Sequence, residues 1–140
     1  MIYKGYKMRV RCIDWEQIDV LNRFWNLFTS YVESEKIIGL GMNWSKDYSY
    51  FDYALGVIGD DDTLSKIKEL DLLKRDSAIE YVEIVLPDFR EWETFKGKEK
   101  DLKKIYEEDI DCYGKPYDYE LECIDSKGNI EIKIHFMNRD

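Results

Sequence analysis

The chain has 140 residues, 44% of them hydrophobic and 15% aromatic, and carries a formal net charge of −9. That is enough apolar material for one folded domain and argues against disorder. The acidity argues against direct binding to a phosphate backbone. With no apolar run of roughly 18 residues and no apolar signal region at the start, a cytoplasmic protein without a membrane segment is expected.

Tyr6 to Ile13 reads as a strand, with Met8, Val10 and Cys12 alternating against Lys7, Arg9 and Arg11. Asp14 offers a helix N-cap, with Gln17 in the capping-box position. Ile18, Leu21, Trp25, Phe28 and Val32 then recur at steps of three and four, predicting a helix to about Ser34 with Trp25 in its core stripe. A second strand spans Ile37 to Trp44, where Gly39 and Gly41 suggest a bulge or a close backbone approach. Phe51 to Ile58 is a third strand. Asp60 to Thr63 caps a short helix with Leu64, Ile67 and Leu70 on its apolar side. Strands are predicted over Ile79 to Leu86 and Phe89 to Phe95, the latter ended by Gly97. A helix from about Lys98 to Asp109 carries Leu102, Ile105 and Tyr106. Tyr117 to Ile124 and Ile130 to Met137 form a final pair of strands about the turn Asp125-Ser126-Lys127-Gly128-Asn129.

Residues 6–59 and 89–137 share one element order: strand, helix, strand, strand. The expected fold is therefore α+β: one domain over residues 1–140, in which two such halves form a largely antiparallel sheet. Both helices lie on one face, Trp25 and Tyr106 pack against it, and a ligand cleft lies between the halves.

Several short motifs carry a resemblance. Leu86-Pro87, the aromatic strand Trp92-Glu93-Thr94-Phe95, Gly97 and Ile105-Tyr106 follow one another in YVEIVLPDFREWETFKGKEKDLKKIYEE. YFDYALGVIG at 50–59, LNRFWNLF at 21–28, YDYELEC at 117–123 and NIEIKIHF at 129–136 complete the set. In this order the chain resembles the GyrI-like effector-binding family over nearly its whole length. The resemblance implies a pocket for bulky, often cationic or lipophilic compounds, with an acidic residue at the position of Glu120. It also implies kinship with effector-binding domains of bacterial transcription regulators, and so a DNA-binding partner protein or a homodimer. The family's closing Ile-Pro is here His135-Phe136, and the family's Tyr two positions after the acidic residue is here Glu122. Both departures bear on pocket shape and ligand class.

Glu120 is the leading functional candidate. The apolar positions of its strand are Tyr117, Tyr119, Leu121 and Cys123; if these pack on the helices, Glu120 faces the other side. There a carboxylate among aromatic rings would attract a ligand cation. Tyr53, Trp44 and Trp92 are candidate pocket walls, although strand aromatics more often serve a core. His135, the only histidine, alternates away from the Ile130, Ile132, Ile134 and Phe136 face and reads as a rim residue. Cys12, Cys112 and Cys123 match no metal or redox spacing, so free thiols, no disulfide, no metal and no cofactor are expected. No spacing suggests a catalytic constellation. Three functions compete: a small-molecule binding or sensing module, a stand-alone hydrolase of reactive small molecules using Glu120 on water or a leaving group, and a protein-interaction module of the gyrase-inhibitor type.

Overall fold

A computed structural model describes residues 1–12, 17–70, 78–110 and 116–137. The first strand, β1 (Ile2–Arg11), starts four residues before the expected Tyr6, and its alternation holds. Tyr6, Met8, Val10 and Cys12 face the main apolar cluster. Helix α1 (Gln17–Thr29) buries Phe24, Trp25 and Phe28. The expected Asp14 cap lies outside the described residues. α1 ends at Thr29, short of Ser34, and a single 3-10 turn at Ser34–Lys36 leads into β2 (Ile38–Met42). β3 (Tyr50–Ile58) follows. Helix α2 (Asp61–Lys68) is capped by Asp60, whose carboxylate accepts the Thr63 N–H at 3.0 Å and the Thr63 hydroxyl at 2.7 Å. β4 spans Glu80–Val85.

The strand expected over Phe89 to Phe95 starts only at Glu93. The Asp88 carboxylate accepts the Arg90 N–H at 2.9 Å and turns Phe89–Glu91 into a 3-10 turn. β5 (Glu93–Lys98) then continues through Gly97, which does not end it. A Cβ at Gly97 would lie 2.7 Å from Ile105 Cδ1, so this residue leaves room for the helix above. That helix, α3, comprises a 3-10 turn (Glu99–Asp101), an α turn (Leu102–Lys104) and a π turn (Ile105–Ile110). β6 (Tyr117–Ile124) and β7 (Asn129–Phe136) close the chain. In the hairpin between them, the Asp125 carboxylate accepts the backbone N–H groups of Lys127 and Asn129, both at 2.9 Å.

All seven strands join one antiparallel sheet in the order β4-β1-β3-β2-β6-β7-β5. The echoed element order is realised in space. β1-β3-β2 and, in reverse, β6-β7-β5 are the same three-strand unit, and the units meet where β2 pairs with β6. On one face, α1 and α2 cover Val10, Phe51, Tyr53, Leu55 and Val57. On the same face α3 covers Ile130, Ile132 and Ile134, with Ile105 and Ile110 buried against them. Trp25 and Tyr106 thus stand over one sheet face, as expected. The opposite face holds Tyr3, Leu40, Met42, Ala54, Leu86, Trp92 and Leu121. Both faces of the central strands are therefore covered. Among the described residues no helix is long and apolar enough to cross a membrane, and Cys12 and Cys123 are free thiols.

Candidate functional site

Where the two halves join, the helices do not meet completely. A cavity of about 190 Å³ remains between α1 and α3, above β2 and β6. α1 supplies Gln17, Ile18 and Leu21; α3 supplies Leu102 and Tyr106; Cys12, Trp44 and Phe51 close one end; Tyr117, Glu120 and Glu122 of β6 form the floor. The Trp44 and Phe51 rings stack at 5.6 Å, and the Trp44 ring meets the Tyr117 ring edge-on at 5.0 Å, so that end of the cavity is a rigid aromatic wall.

Glu120 faces the helices, which reverses the side inferred from the alternation of Tyr119 and Leu121. Those two apolar residues pack on the far face with Leu40, Met42 and Trp92. Because β6 is a central strand covered on both faces, its polar positions are not its solvent positions. An irregularity in the β6–β7 ladder between Tyr117 and Tyr119 brings Tyr117 round to the side of Glu120.

Two features let a carboxyl pair fit there. β2 has no side chains on this face: a Cβ at Gly41 would lie 2.7 Å from Glu120 Oε1, and one at Gly39 would lie 2.2 Å from the Tyr53 hydroxyl. The close approach suggested by these glycines is thus an approach of side chains across the ladder. Hydroxyl donors then satisfy the carboxyls. Trp25 Nε1 donates to the Tyr53 hydroxyl at 2.9 Å, and Tyr53 donates to Glu122 Oε2 at 2.8 Å. The Tyr106 hydroxyl lies 2.8 Å from Glu120 Oε2 and 2.9 Å from Glu122 Oε1. Glu120 and Glu122 are each only 6% exposed.

Burial, and then the nearby Glu122 charge, push the Glu120 carboxyl from its ordinary 4.5 up to about 8. Burial also raises Glu122, opposed by the Tyr53 and Tyr106 hydroxyls. The Cys12 thiol is raised by burial and by the Glu120 charge. No basic side chain lines the cavity among the described residues. Nor is any group of three potential metal ligands assembled among them. The Gln17 side-chain oxygen on the cavity wall is buried without a hydrogen-bond partner among the described residues.

Of the four candidates read from the sequence, Glu120 and Trp44 come together in this cavity. Tyr53 is fully buried beneath it and acts on Glu122 rather than on the open space. Trp92 lies on the opposite sheet face, where its Nε1 donates to the Pro87 carbonyl at 3.1 Å and its ring packs near Tyr119 and His135. His135 is also on that face, with Nδ1 2.6 Å from Asp118 Oδ1. Glu122 and Tyr106 are site residues that sequence reasoning did not assign. The signal for Glu122 was its two-residue spacing from Glu120, which puts both carboxyls on one strand face. A larger groove of about 570 Å³ runs beside β5 and β7 past Lys96, Lys98 and Glu131. Its charged side chains are solvated, and it contains no buried ionisable pair.

Fold and site together define a class: a duplicated strand–helix–strand–strand domain with a buried acidic cavity at the junction of its halves. No protein-family model matches the chain, and no curated protein matches it in sequence. Among solved structures it is similar to SAV2435 bound to tetraphenylphosphonium, with a TM-score of 0.52 and 12% identity over 98% of this chain and 90% of that one. A hydrolase from Listeria innocua aligns with a TM-score of 0.44 and 11% identity, covering 97% and 87%. At 12% identity the likeness to SAV2435 is one of fold.

Proposed function

We propose that this chain is a small-molecule binding module whose cavity between α1 and α3 takes a compact aromatic cation, with Glu120 as the counter-charge and Trp44, Phe51 and Tyr117 as the wall. The observation that carries this reading is a carboxyl pair buried in an aromatic-walled cavity without a basic partner among the described residues. A buried carboxylate without a cation is costly, and a ligand cation relieves that cost. The unpartnered Gln17 oxygen adds an acceptor, which suits a cation bearing N–H groups. The volume of about 190 Å³ falls below the roughly 300–1,000 Å³ of pockets that enclose drug-sized ligands, so the cavity suits a single-ring ligand. A likeness of fold to a protein bound to tetraphenylphosphonium supports the choice of a lipophilic cation. A role in sensing would require a DNA-binding partner, since the net charge of −9 opposes duplex binding by this chain.

The test compares benzamidinium with benzamide, a neutral molecule of nearly the same shape, by NMR titration at pH 8.5. Glu120→Gln keeps the side-chain shape and removes the charge. It is expected to weaken benzamidinium by about 1–3 kcal/mol and to leave benzamide nearly unchanged. Equal losses for both ligands would make Glu120 a structural residue and would sink the reading.

A second reading has one observation behind it. Two carboxyls with raised proton affinity, bridged by a tyrosine, are also the equipment of acid–base hydrolysis. Turnover of a bound ligand, in place of its recovery unchanged, would favour that reading.

A further inference from the structure

The hydrogen-bond inventory of the carboxyl pair sets a proton count. A phenol has one hydrogen, yet the Tyr106 hydroxyl lies within bonding distance of both Glu120 Oε2, at 2.8 Å, and Glu122 Oε1, at 2.9 Å. If both carboxyls were ionised, one of these contacts would press two electron-rich oxygens together with no hydrogen between them, inside a buried cavity. A proton on one carboxyl turns both contacts into hydrogen bonds. The remaining contacts say which carboxyl holds it. Glu122 already accepts from Tyr53, whose own oxygen is occupied by Trp25 Nε1–H, so Tyr53 has its proton committed to Glu122. With Tyr106 donating as well, Glu122 has two hydroxyl donors and is the better ion. Glu120 has no other donor among the described residues, and its Oε1 packs over the bare Gly41 backbone.

The groups facing Glu120 are consistent with this assignment. β6 itself presents Glu122 and Tyr117, β3 presents Tyr53, α3 presents Tyr106, and Cys12 follows β1. β2, β7 and α1 present the uncharged Gly41, Ile134 and Gln17. Glu99 adds a further negative influence on Glu122. No cation among these described groups neutralises a second negative charge.

We propose, resting on the ligand-binding reading above, that the free protein holds a proton on Glu120 and that a cation reaching the cavity takes its place, so that uptake of one cation releases about one proton to solvent. The exchange balances: protonated site plus cation plus one water gives cation-bound site plus one hydronium ion, and the net charge of the buried pair with its guest is unchanged. The second carboxylate forms only with a cation beside it, so it is never left buried and uncompensated. A neutral guest leaves the proton in place.

Benzamidinium, which stays a cation between pH 6 and 8.5, serves as the probe. Calorimetric titration at pH 7 in phosphate and in Tris, buffers with different heats of ionisation, reads the proton count. About one proton released per benzamidinium is expected, and none per benzamide. Benzamidinium affinity is expected to rise about tenfold from pH 6 to 7 and to level off above pH 8, because one proton competes with one ligand. Glu120→Gln should abolish both the release and the slope. Benzamidinium binding without proton release between pH 6 and 7 would overturn the exchange while leaving the ligand-binding reading standing. Failure of both probes to bind would overturn the two together.

Discussion

Gly41 of β2 stands opposite Glu120 of β6 in the ladder that joins the two halves, and a methyl group at Gly41 would lie 2.7 Å from the Glu120 carboxyl oxygen. Gly41→Ala therefore forces the carboxyl away from Tyr106. Overpacking of this kind costs about 1–3 kcal/mol of stability. The expected signature is a lowered denaturant midpoint together with a benzamidinium affinity reduced about tenfold or more, as for loss of a charge-assisted contact. Unchanged binding in a destabilised but folded variant would show that the carboxyl does not need this place.

The raised proton affinity of Glu120 has a consequence for stability. A carboxyl whose folded value, about 8, exceeds its ordinary 4.5 holds its proton more tightly in the fold than in the unfolded chain. Its contribution is fully present below pH 4.5 and is lost as the pH rises toward 8, because over that window the folded chain binds more protons than the unfolded one. Urea unfolding at pH 5, 6, 7 and 8 should show stability falling by an amount of the order of a few kcal/mol. Glu120→Gln should flatten most of that slope and be more stable than the wild type at pH 8. A wild-type protein equally stable at pH 5 and pH 8 would contradict the assignment.

The duplicated architecture was legible in the sequence because apolar spacing and the Asx-type turns and caps near Asp60 and Asp125 act locally. What was not legible was which face of β6 meets the helices. Alternation of Glu120 and Glu122 with Tyr119 and Leu121 distinguishes two faces without naming them, and in a strand covered on both sides the apolar set need not be the helix-facing set. The same ambiguity explains Trp92: its aromatic ring was read as a pocket wall, but the turn at Phe89–Glu91 carries it onto the far face. Glu122 was noticed only as a departure from a resembled pattern. Its role emerges from Tyr53 and Tyr106, which lie 69 and 16 residues away from it along the chain.

Trp44 and Trp92 offer a direct contrast of the two faces. Trp44 lines the cavity, so Trp44→Ala removes a wall from any guest and should weaken benzamidinium and benzamide alike, by about 1–3 kcal/mol for a lost aromatic contact. Trp92→Phe loses the hydrogen bond to the Pro87 carbonyl and some buried area on the far face. It should cost about 1–2 kcal/mol of stability and leave both affinities within about twofold. A selective loss of ligand binding in Trp92→Phe would place the site on the wrong side of the sheet.

Tyr106 gives the most discriminating variant, because its hydroxyl touches both carboxyls and belongs to the π turn of α3. Tyr106→Phe keeps the ring, and therefore the packing against β6, while removing the one hydrogen that the pair shares. With the proton on Glu120, the Tyr106 hydroxyl accepts from Glu120 and donates to Glu122; between two carboxylates it can serve only one, so its removal lowers the proton affinity of Glu120. The pH above which benzamidinium affinity levels off should move downward from about 8, by about one pH unit for a single lost hydrogen bond. At pH 7 the proton should consequently compete less and the cation bind more tightly, while benzamide, which displaces no proton, should bind almost as before. A merely structural role would shift both affinities together and leave the pH profile where it stood. The profile of benzamidinium affinity between pH 6 and 9.5 in wild type and Tyr106→Phe therefore decides the matter, and a midpoint that stays fixed or moves up would exclude Tyr106 as the bridge that sets the proton on Glu120.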